Sequence, residues 1–348
     1  MTQAVLGAAV GFAVAGRRFG RKAAAWGALG GVLPDVDVAW TGLYGPFGEW
    51  AHHRGVTHSL FFGPVVGPLL GWLTWRGYRR WRPRSTLAAD DALPSLSALW
   101  LFALATHPLL DLFTIYGTQL LAPVFSHRFA LPGVAIIDPV YTLLLLVPLI
   151  AVLVRPRAHL CRLALGAGLV LSTAYLFYGL QQNGRAEMEA RRQLGTPAGE
   201  LRAYTTMFNP WLRRVVVVEP ERTRIGFVST WDPQPIRWHD RPRDDGAYAL
   251  LDDAFATPEG AIFRRFASGP VLAELRPGGG ADRVLRVLDL RYGFPGPTLE
   301  GFWGVDFHYD GATGSFTAVE RVRVPRAIRW RDVEALVQAS FGWPNGVF

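Results

Sequence analysis

Six apolar stretches occupy the first half of the chain, at about 4–16, 23–33, 60–75, 93–113, 134–154 and 160–180, with polar or Gly/Pro-rich connections between them. Only the last three approach the roughly 20 residues that a simple membrane span needs. The first two are short and carry Gly7, Gly11, Gly27, Gly30 and Gly31. That predicts helices packed closely inside a bundle rather than exposed to lipid all round. The third contains Pro64 and Pro68, so neighbouring helices or a kink must satisfy the freed backbone groups. Ala4–Gly16 ends in Ala13-Val14-Ala15, which resembles a signal-peptidase site, but no positive charge precedes it and it reads as a retained helix.

Near residue 185 the pattern changes. A polar helical stretch with Arg185, Glu187, Glu189, Arg191 and Arg192 leads into β-rich runs at 213–219, 224–229, 261–267, 283–291, 302–309 and 315–324. Pro220-Glu221, Pro277-Gly278-Gly279-Gly280 and Asp310-Gly311 supply the turns. The whole predicts an α-helical polytopic membrane bundle of five to six segments over residues 1–184. A soluble, mainly antiparallel β domain follows over 185–348 and closes with a short helix at 332–341.

Composition supports this division. The 348 residues are 50% hydrophobic and 18% charged, with a mean hydropathy of +0.17, too apolar for an average soluble protein. Residues 1–184 carry 14 Lys+Arg against 7 Asp+Glu, and 185–348 carry 22 against 21, so nearly all of the +8 net charge sits between the apolar segments. Twelve of those 14 cations lie in alternate connections, at Arg17/Arg18/Arg21/Lys22, Arg76/Arg79/Arg80/Arg82/Arg84 and Arg155/Arg157/Arg162. The opposite connections hold only Arg54 and Arg128. Because cytoplasmic loops are rich in Lys and Arg, both termini and the β domain are expected outside a bacterial-type cytoplasmic (inner) membrane. The bilayer is then the expected partner. A nucleic-acid partner is disfavoured, since the soluble half has no basic face with interleaved aromatics. Oligomeric state is open.

Cys161 is the single cysteine, which excludes an intrachain disulfide and a Cys-based zinc cluster. The chemistry must come from His and carboxylates. Asp35, Asp37, Asp111 and Asp138 all lie in apolar surroundings, where an unpaired charge is costly and demands a cation, a partner or water. With His53, His58, His107 and His127 they fall at the outward ends of the segments, a convergence suited to a site between bundle helices. His107 and Asp111 are four apart, hence on one helical face. Asp35, Asp37, His53, His58, His107 and Asp111 are therefore the candidate ligands of one or two divalent ions, zinc first, with iron or manganese as alternatives. Asp138 is a further ligand or an orienter. Taken singly, each has a plainer reading: Asp35 as a helix-end residue, Asp111 as the partner of an arginine, and His52, His159, His239 and His308 as packing residues.

The ordered strings Leu33-Pro34-Asp35-Val36-Asp37, His53-Arg54-Gly55-Val56-Thr57-His58-Ser59, His107-x-x-x-Asp111, Tyr116-Gly117-Thr118, Ser126-x-Arg128-Phe129 and Ile137-Asp138-Pro139 resemble the membrane-bound metal-dependent hydrolases, the YdjM-like inner-membrane proteins regulated by LexA. The likeness continues into Phe208-Asn209-Pro210 and the 214–218 run. It implies a polytopic metal-dependent hydrolase and supplies no substrate. One departure stands out: family members often begin with Thr-His-Ala, and this chain has Thr2-Gln3-Ala4.

A metal in such a site would lower the pKa of bound water and make a nucleophile, while a spare carboxylate handles protons. Arg54 and Arg128 offer planar forks suited to phosphate. The expected activity is thus hydrolysis of a phosphoester, of a lipid or lipid-linked substrate, at the extracytoplasmic boundary, with Arg54, Arg128 and Asp138 in catalytic roles. The rivals are an ion- or proton-coupled transporter component and a non-catalytic envelope scaffold. For either arginine the plainer reading is a salt bridge to Asp35, Asp37 or Glu49.

Overall fold

The computed structural model describes residues 1–195, 199–278, 282–293, 295, 301–323 and 330–341. The chain divides into two compact units, Met1–Leu131 with Ile136–Tyr178, and Pro132–Ala135 with Gly179–Phe348.

The first unit is helical. Helices α1 (Thr2–Phe19) and α2 (Arg21–Val32) form a hairpin around Gly20, followed by helices at Phe62–Trp81, Ala92–Leu112 and Pro139–Val154 and the first part of His159–Leu194. Two of these, Ala92–Leu112 and His159–Leu194, are long and apolar enough to cross a membrane. The bent pair Gly48–His58 and Phe62–Trp81, turned through 66°, makes a third if counted as one span.

The glycines decide how the helices meet. Gly7 and Gly11 on α1 face Gly27 and Gly31 on α2, so two small-xxx-small stripes allow the backbones to touch. A Cβ at Gly11 would lie 2.6 Å from the Ala23 carbonyl oxygen and 2.7 Å from the Gly27 Cα. The stripe Gly63, Gly67, Gly71 does the same for the 62–81 helix against the 92–112 helix, where a Cβ at Gly67 would stand 2.7 Å from the Leu101 Cα. Val65, Leu69 and Leu73 form an exposed apolar stripe on that same 62–81 helix. Leu143, Val147, Ile150 and Val154 repeat the arrangement on the 139–154 helix. In water such stripes would be costly to expose, and in a bilayer they are the expected outer face.

The second unit carries two four-stranded antiparallel sheets. The first runs in the order β1 (Glu200–Thr205), β2 (Leu212–Val218), β3 (Arg222–Ser229), β4 (His239–Pro242). The second runs β5 (Val271–Pro277), β6 (Arg283–Asp289), β7 (Trp303–Asp310), β8 (Ser315–Arg323). A helix at Trp330–Ser340 comes last. In the first sheet, the inward side chains Leu201, Ala203, Val215, Val217 and Val228 close over Ala186 and Ala190 of the long helix.

One expected strand is wrong. Residues 261–266 belong to the helix Pro258–Phe266, with Ala267 at its end, because Thr257 accepts the Gly260 amide at 3.1 Å, Pro258 occupies the first turn, and Glu259 and Arg264/Arg265 complement the two ends. That capping pattern outweighs the β-rich look of Ala261-Ile262-Phe263. Strands β1, β4 and β5 had no expected counterpart. The turn at Gly279-Gly280 and the strand end at Val324 lie outside the described residues.

Candidate metal centre

Four pieces of the first unit bring the expected residues together. The 3₁₀ turn Leu33–Asp37, opened by Pro34, extends α2 and presents Asp35 and Asp37. The loop after helix Gly48–His52 places His53 and then Arg54, whose φ of 58° is rare for a side chain with a Cβ. The turn Val56–His58 ends on His58, and one face of the 92–112 helix carries His107 and Asp111.

Their geometry separates two groups that share His58. In the first, His58 Nε2 and His107 Nε2 stand 3.0 Å apart. Asp35 Oδ1 lies 3.3 Å from each of those nitrogens, and Asp111 Oδ2 lies 3.4 Å from His58 Nε2 and 3.5 Å from His107 Nε2. In the second, Asp37 Oδ1 is 2.7 Å from His53 Nδ1, and Asp37 Oδ2 is 3.4 Å from His58 Nδ1. His58, His107, Asp111 and Asp37 are buried, whereas the Asp35 side chain is 44% exposed and opens the first group to solvent.

The residues around these groups fix their orientation. His107 Nδ1 meets the Gly31 carbonyl oxygen at 2.6 Å; a carbonyl can only accept, so this nitrogen donates and Nε2 keeps its lone pair. The Thr57 hydroxyl donates to Asp37 Oδ2 at 2.8 Å and lies 3.0 Å from His58 Nδ1. The Gln3 amide donates to Asp111 Oδ1 at 2.9 Å and to the His107 carbonyl at 3.3 Å. The residue standing where relatives often have histidine thus touches the cluster directly. Burial pushes the Asp35 and Asp37 carboxyls up, but the imidazoles that face them, His107 and His58 at the first and His53 and His58 at the second, outweigh it and hold both well below the ordinary carboxylate range.

The donor set fits a divalent cation. Asp111 Oδ2 is buried and accepts no hydrogen bond among the described residues; it has Arg54 Nε at 3.1 Å as its ion partner, with two imidazole nitrogens and a second carboxylate around it. One guanidinium beside the two carboxylates Asp35 and Asp111 leaves a negative charge that a further cation would balance. Asp35, His58, His107 and Asp111 offer ligand atoms all within 4.8 Å of one another, as do Asp37, His53 and His58.

Arg54, Arg128 and Asp138 do other work. The buried Arg54 guanidinium sits with Nε 3.1 Å from Asp111 Oδ2, donates from Nη1 to the Thr114 hydroxyl at 2.6 Å, and lies over the Tyr116 ring at 4.8 Å. Its partner is Asp111, rather than Asp35, Asp37 or Glu49. Arg128 donates to the carbonyls of Gly117, Trp50 and His53 at 2.8–3.0 Å and so ties its own loop to the Gly117 turn and to the end of the Gly48–His52 helix. Asp138 belongs to neither ligand group; it caps the 139–154 helix through the Tyr141 amide at 3.0 Å and accepts from the Tyr175 hydroxyl. His127 is exposed and stacks edge-on with Phe129. Sequence reasoning missed Gly31 and Thr114. Gly31 acts through its backbone carbonyl and leaves no side-chain signal.

Helices with exposed apolar stripes around a buried His/Asp cluster define a membrane-embedded protein with a potential metal centre. The chain belongs to the YdjM inner membrane protein family, whose model matches residues 1–186 and so covers the helical half with every candidate ligand. No curated protein and no solved structure matches it.

Proposed function

We propose that the protein is a metal-dependent hydrolase of the inner membrane, with Asp35, His58, His107 and Asp111 holding one divalent ion. One observation carries this reading. The five measured separations among these four ligand atoms, 3.0 to 3.5 Å, bracket the edge of a tetrahedron. That edge is roughly 3.3–3.4 Å when ligands stand about 2.0–2.1 Å from a zinc ion at the centre. Zinc is therefore the first choice of metal. When bound, the ion supplies Lewis acidity to water and to a polarised substrate oxygen.

The chain's own residues would divide the remaining work. Gly31 and Thr57 orient the two imidazoles, and Gln3 and Arg54 hold Asp111. Asp37 fixes His53 through Nδ1, which leaves Nε2 as the ring atom open to proton exchange with a leaving group. In this scheme Asp37 and His53 move from ligands of a second ion to a proton-handling pair. Asp35 marks the solvent side, and Asp37 also borders a cavity of about 230 Å³ walled by Trp40, Tyr44 and His52. Substrate would enter there.

Five to six segments cross or enter the bilayer in this proposal, with the centre and the β domain on the extracytoplasmic side, as the twelve-to-two distribution of cations argues. A phosphoester of a lipid or lipid-linked molecule is the first substrate class to test. Arg54 contributes its charge beside the centre and acts as a positioning residue for Asp111 rather than as a free fork. The experiment is elemental analysis of the detergent-purified protein, followed by a hydrolysis screen of the metal-loaded form across phosphoester, amide and glycosidic substrates. Stoichiometric metal and phosphoester turnover are expected. Turnover of another bond class alone would remove the phosphate assignment, and absence of metal would remove the hydrolase.

A further inference from the structure

On another face of the helical unit, a groove of about 1280 Å³ lies against α2 and the 62–81 helix. Its walls are apolar, with Trp26, Leu29 and Leu33 from one helix and Leu70, Leu73 and Tyr78 from the other, and Trp100 at its floor. The polar groups of Trp100 and Thr74 are satisfied internally: Trp100 Nε1 donates to the Thr74 hydroxyl at 3.0 Å, and that hydroxyl donates to the Leu70 carbonyl at 2.7 Å. The groove is therefore mainly apolar along its length.

One end differs. Lys22, Arg82, Arg84 and Ser85 line it beside Trp81. The neighbouring cations are already matched, Arg79 with Asp90 and Arg18 with Asp91. Arg82 and Arg84 are exposed and have no ion pair among the described residues, and Lys22 meets only the Ser85 hydroxyl at 3.3 Å and the Tyr78 ring. An apolar slot closed at one end by unmatched cations, with Trp and Tyr at the level where they appear, has the polarity of a phospholipid in its leaflet. Its length agrees. From Lys22 to Val32, α2 rises roughly 15 Å at about 1.5 Å per residue, close to half of the roughly 30 Å hydrocarbon core.

We propose that this groove binds an anionic phospholipid of the leaflet on the basic side, one acyl chain lying between α2 and the 62–81 helix and the phosphate held by Arg82 and Arg84. The site is separate from the His/Asp cluster and does not depend on its being a metal centre.

Native mass spectrometry of the full chain in detergent, with phosphatidylglycerol or phosphatidylcholine of the same chains, tests this. Phosphatidylglycerol should be retained preferentially, and Arg82→Gln with Arg84→Gln should lower its retention by about fivefold per cation removed. Gly77→Leu should reduce retention of the chains themselves, since the new side chain enters the groove with only the Trp81 ring within 4 Å. Metal content should stay at the wild-type level in both variants, which separates failure here from failure of the hydrolase reading. Equal retention of the two lipids, or undiminished retention in the double arginine variant, overturns the proposal. Displacement of the lipid by chain-free glycerol phosphate would reveal a bare anion site and also overturns it.

Discussion

His58 and His107, 49 positions apart in sequence, point their Nε2 atoms at one another across 3.0 Å. His107 spends its proton on the Gly31 carbonyl, so one lone pair of this facing pair is fixed by the backbone of α2. The orientation costs conformational freedom and gains little as a lone His–His contact, but it is the arrangement a shared cation needs.

The first prediction concerns those ligands. His58→Ala and His107→Ala should each abolish stoichiometric metal, while Thr57→Ala, which loosens the His58 ring without removing it, should weaken metal affinity by roughly 10–100-fold. His239 and His308, in the β domain, serve as controls. Elemental analysis and a competitive chelator titration read both effects. Wild-type stoichiometry in His58→Ala would rule out the four-residue centre.

How far the sequence reveals this site follows from what each residue contributes. The six candidate ligands were readable because imidazole and carboxylate are anomalous at the ends of apolar segments, and all six come together in the two groups. Asp138 looked equally anomalous. The structure makes it the cap of the 139–154 helix, and Pro139 at the first helical position was the sign of this that the sequence reading left unused. Asp111 as the partner of an arginine was already the plainer sequence reading and holds for Arg54, whereas the three backbone carbonyls that engage Arg128 leave no side-chain signal to read. In the β domain, alternation identified β2, β3, β6, β7 and β8, whereas β4 is a short polar edge strand with little pattern to find.

Arg54 yields the second prediction. Its guanidinium is the cation nearest Asp111 Oδ2, at 3.1 Å, and both side chains are buried. Arg54→Ala leaves that carboxylate without its fixed counter-charge, a loss of about 3–5 kcal/mol where no other cation compensates. A bound divalent ion compensates in part. The variant should therefore show a large drop in melting temperature after chelation and a smaller one when metal-loaded, by thermal unfolding monitored in detergent. Equal drops in the two states would argue against a cation beside Asp111. Arg54→Lys should keep the charge, recover part of the stability, and lose the Thr114 hydrogen bond.

Topology is the third. Cysteine at Ala312, exposed in the β7–β8 turn, should react with a membrane-impermeant thiol reagent in intact cells, and cysteine at the exposed Thr86 should not until the cells are opened. Cys161 is replaced by serine first so that the background is clean. The opposite pattern would put the centre on the cytoplasmic face and invert the proposed side of action.

The last prediction tests whether helix packing sets the metal geometry. Gly31 is the point where three demands meet: its carbonyl orients His107, its Cα lies against α1, and the residues that follow it carry Asp35 and Asp37. A Cβ there would fall 3.0 Å from the Gly7 Cα, with the Gln3 carbonyl closer still, so backbone and not a flexible side chain must yield. Gly31→Ala should cost about 1–3 kcal/mol through overpacking. It should also tilt α2 away from α1, moving the Gly31 carbonyl off His107 and the Gln3 amide off Asp111, and so lower metal affinity although no ligand has changed. Gly166→Ala is the matched control, because a Cβ there meets nothing within 4 Å and alanine favours the helix. Thermal unfolding and chelator titration on both variants separate the possibilities. A Gly31→Ala protein that is destabilised but binds metal as tightly as wild type would mean that the cluster tolerates movement of α2, and that the Gly31 carbonyl does not hold His107 for the metal.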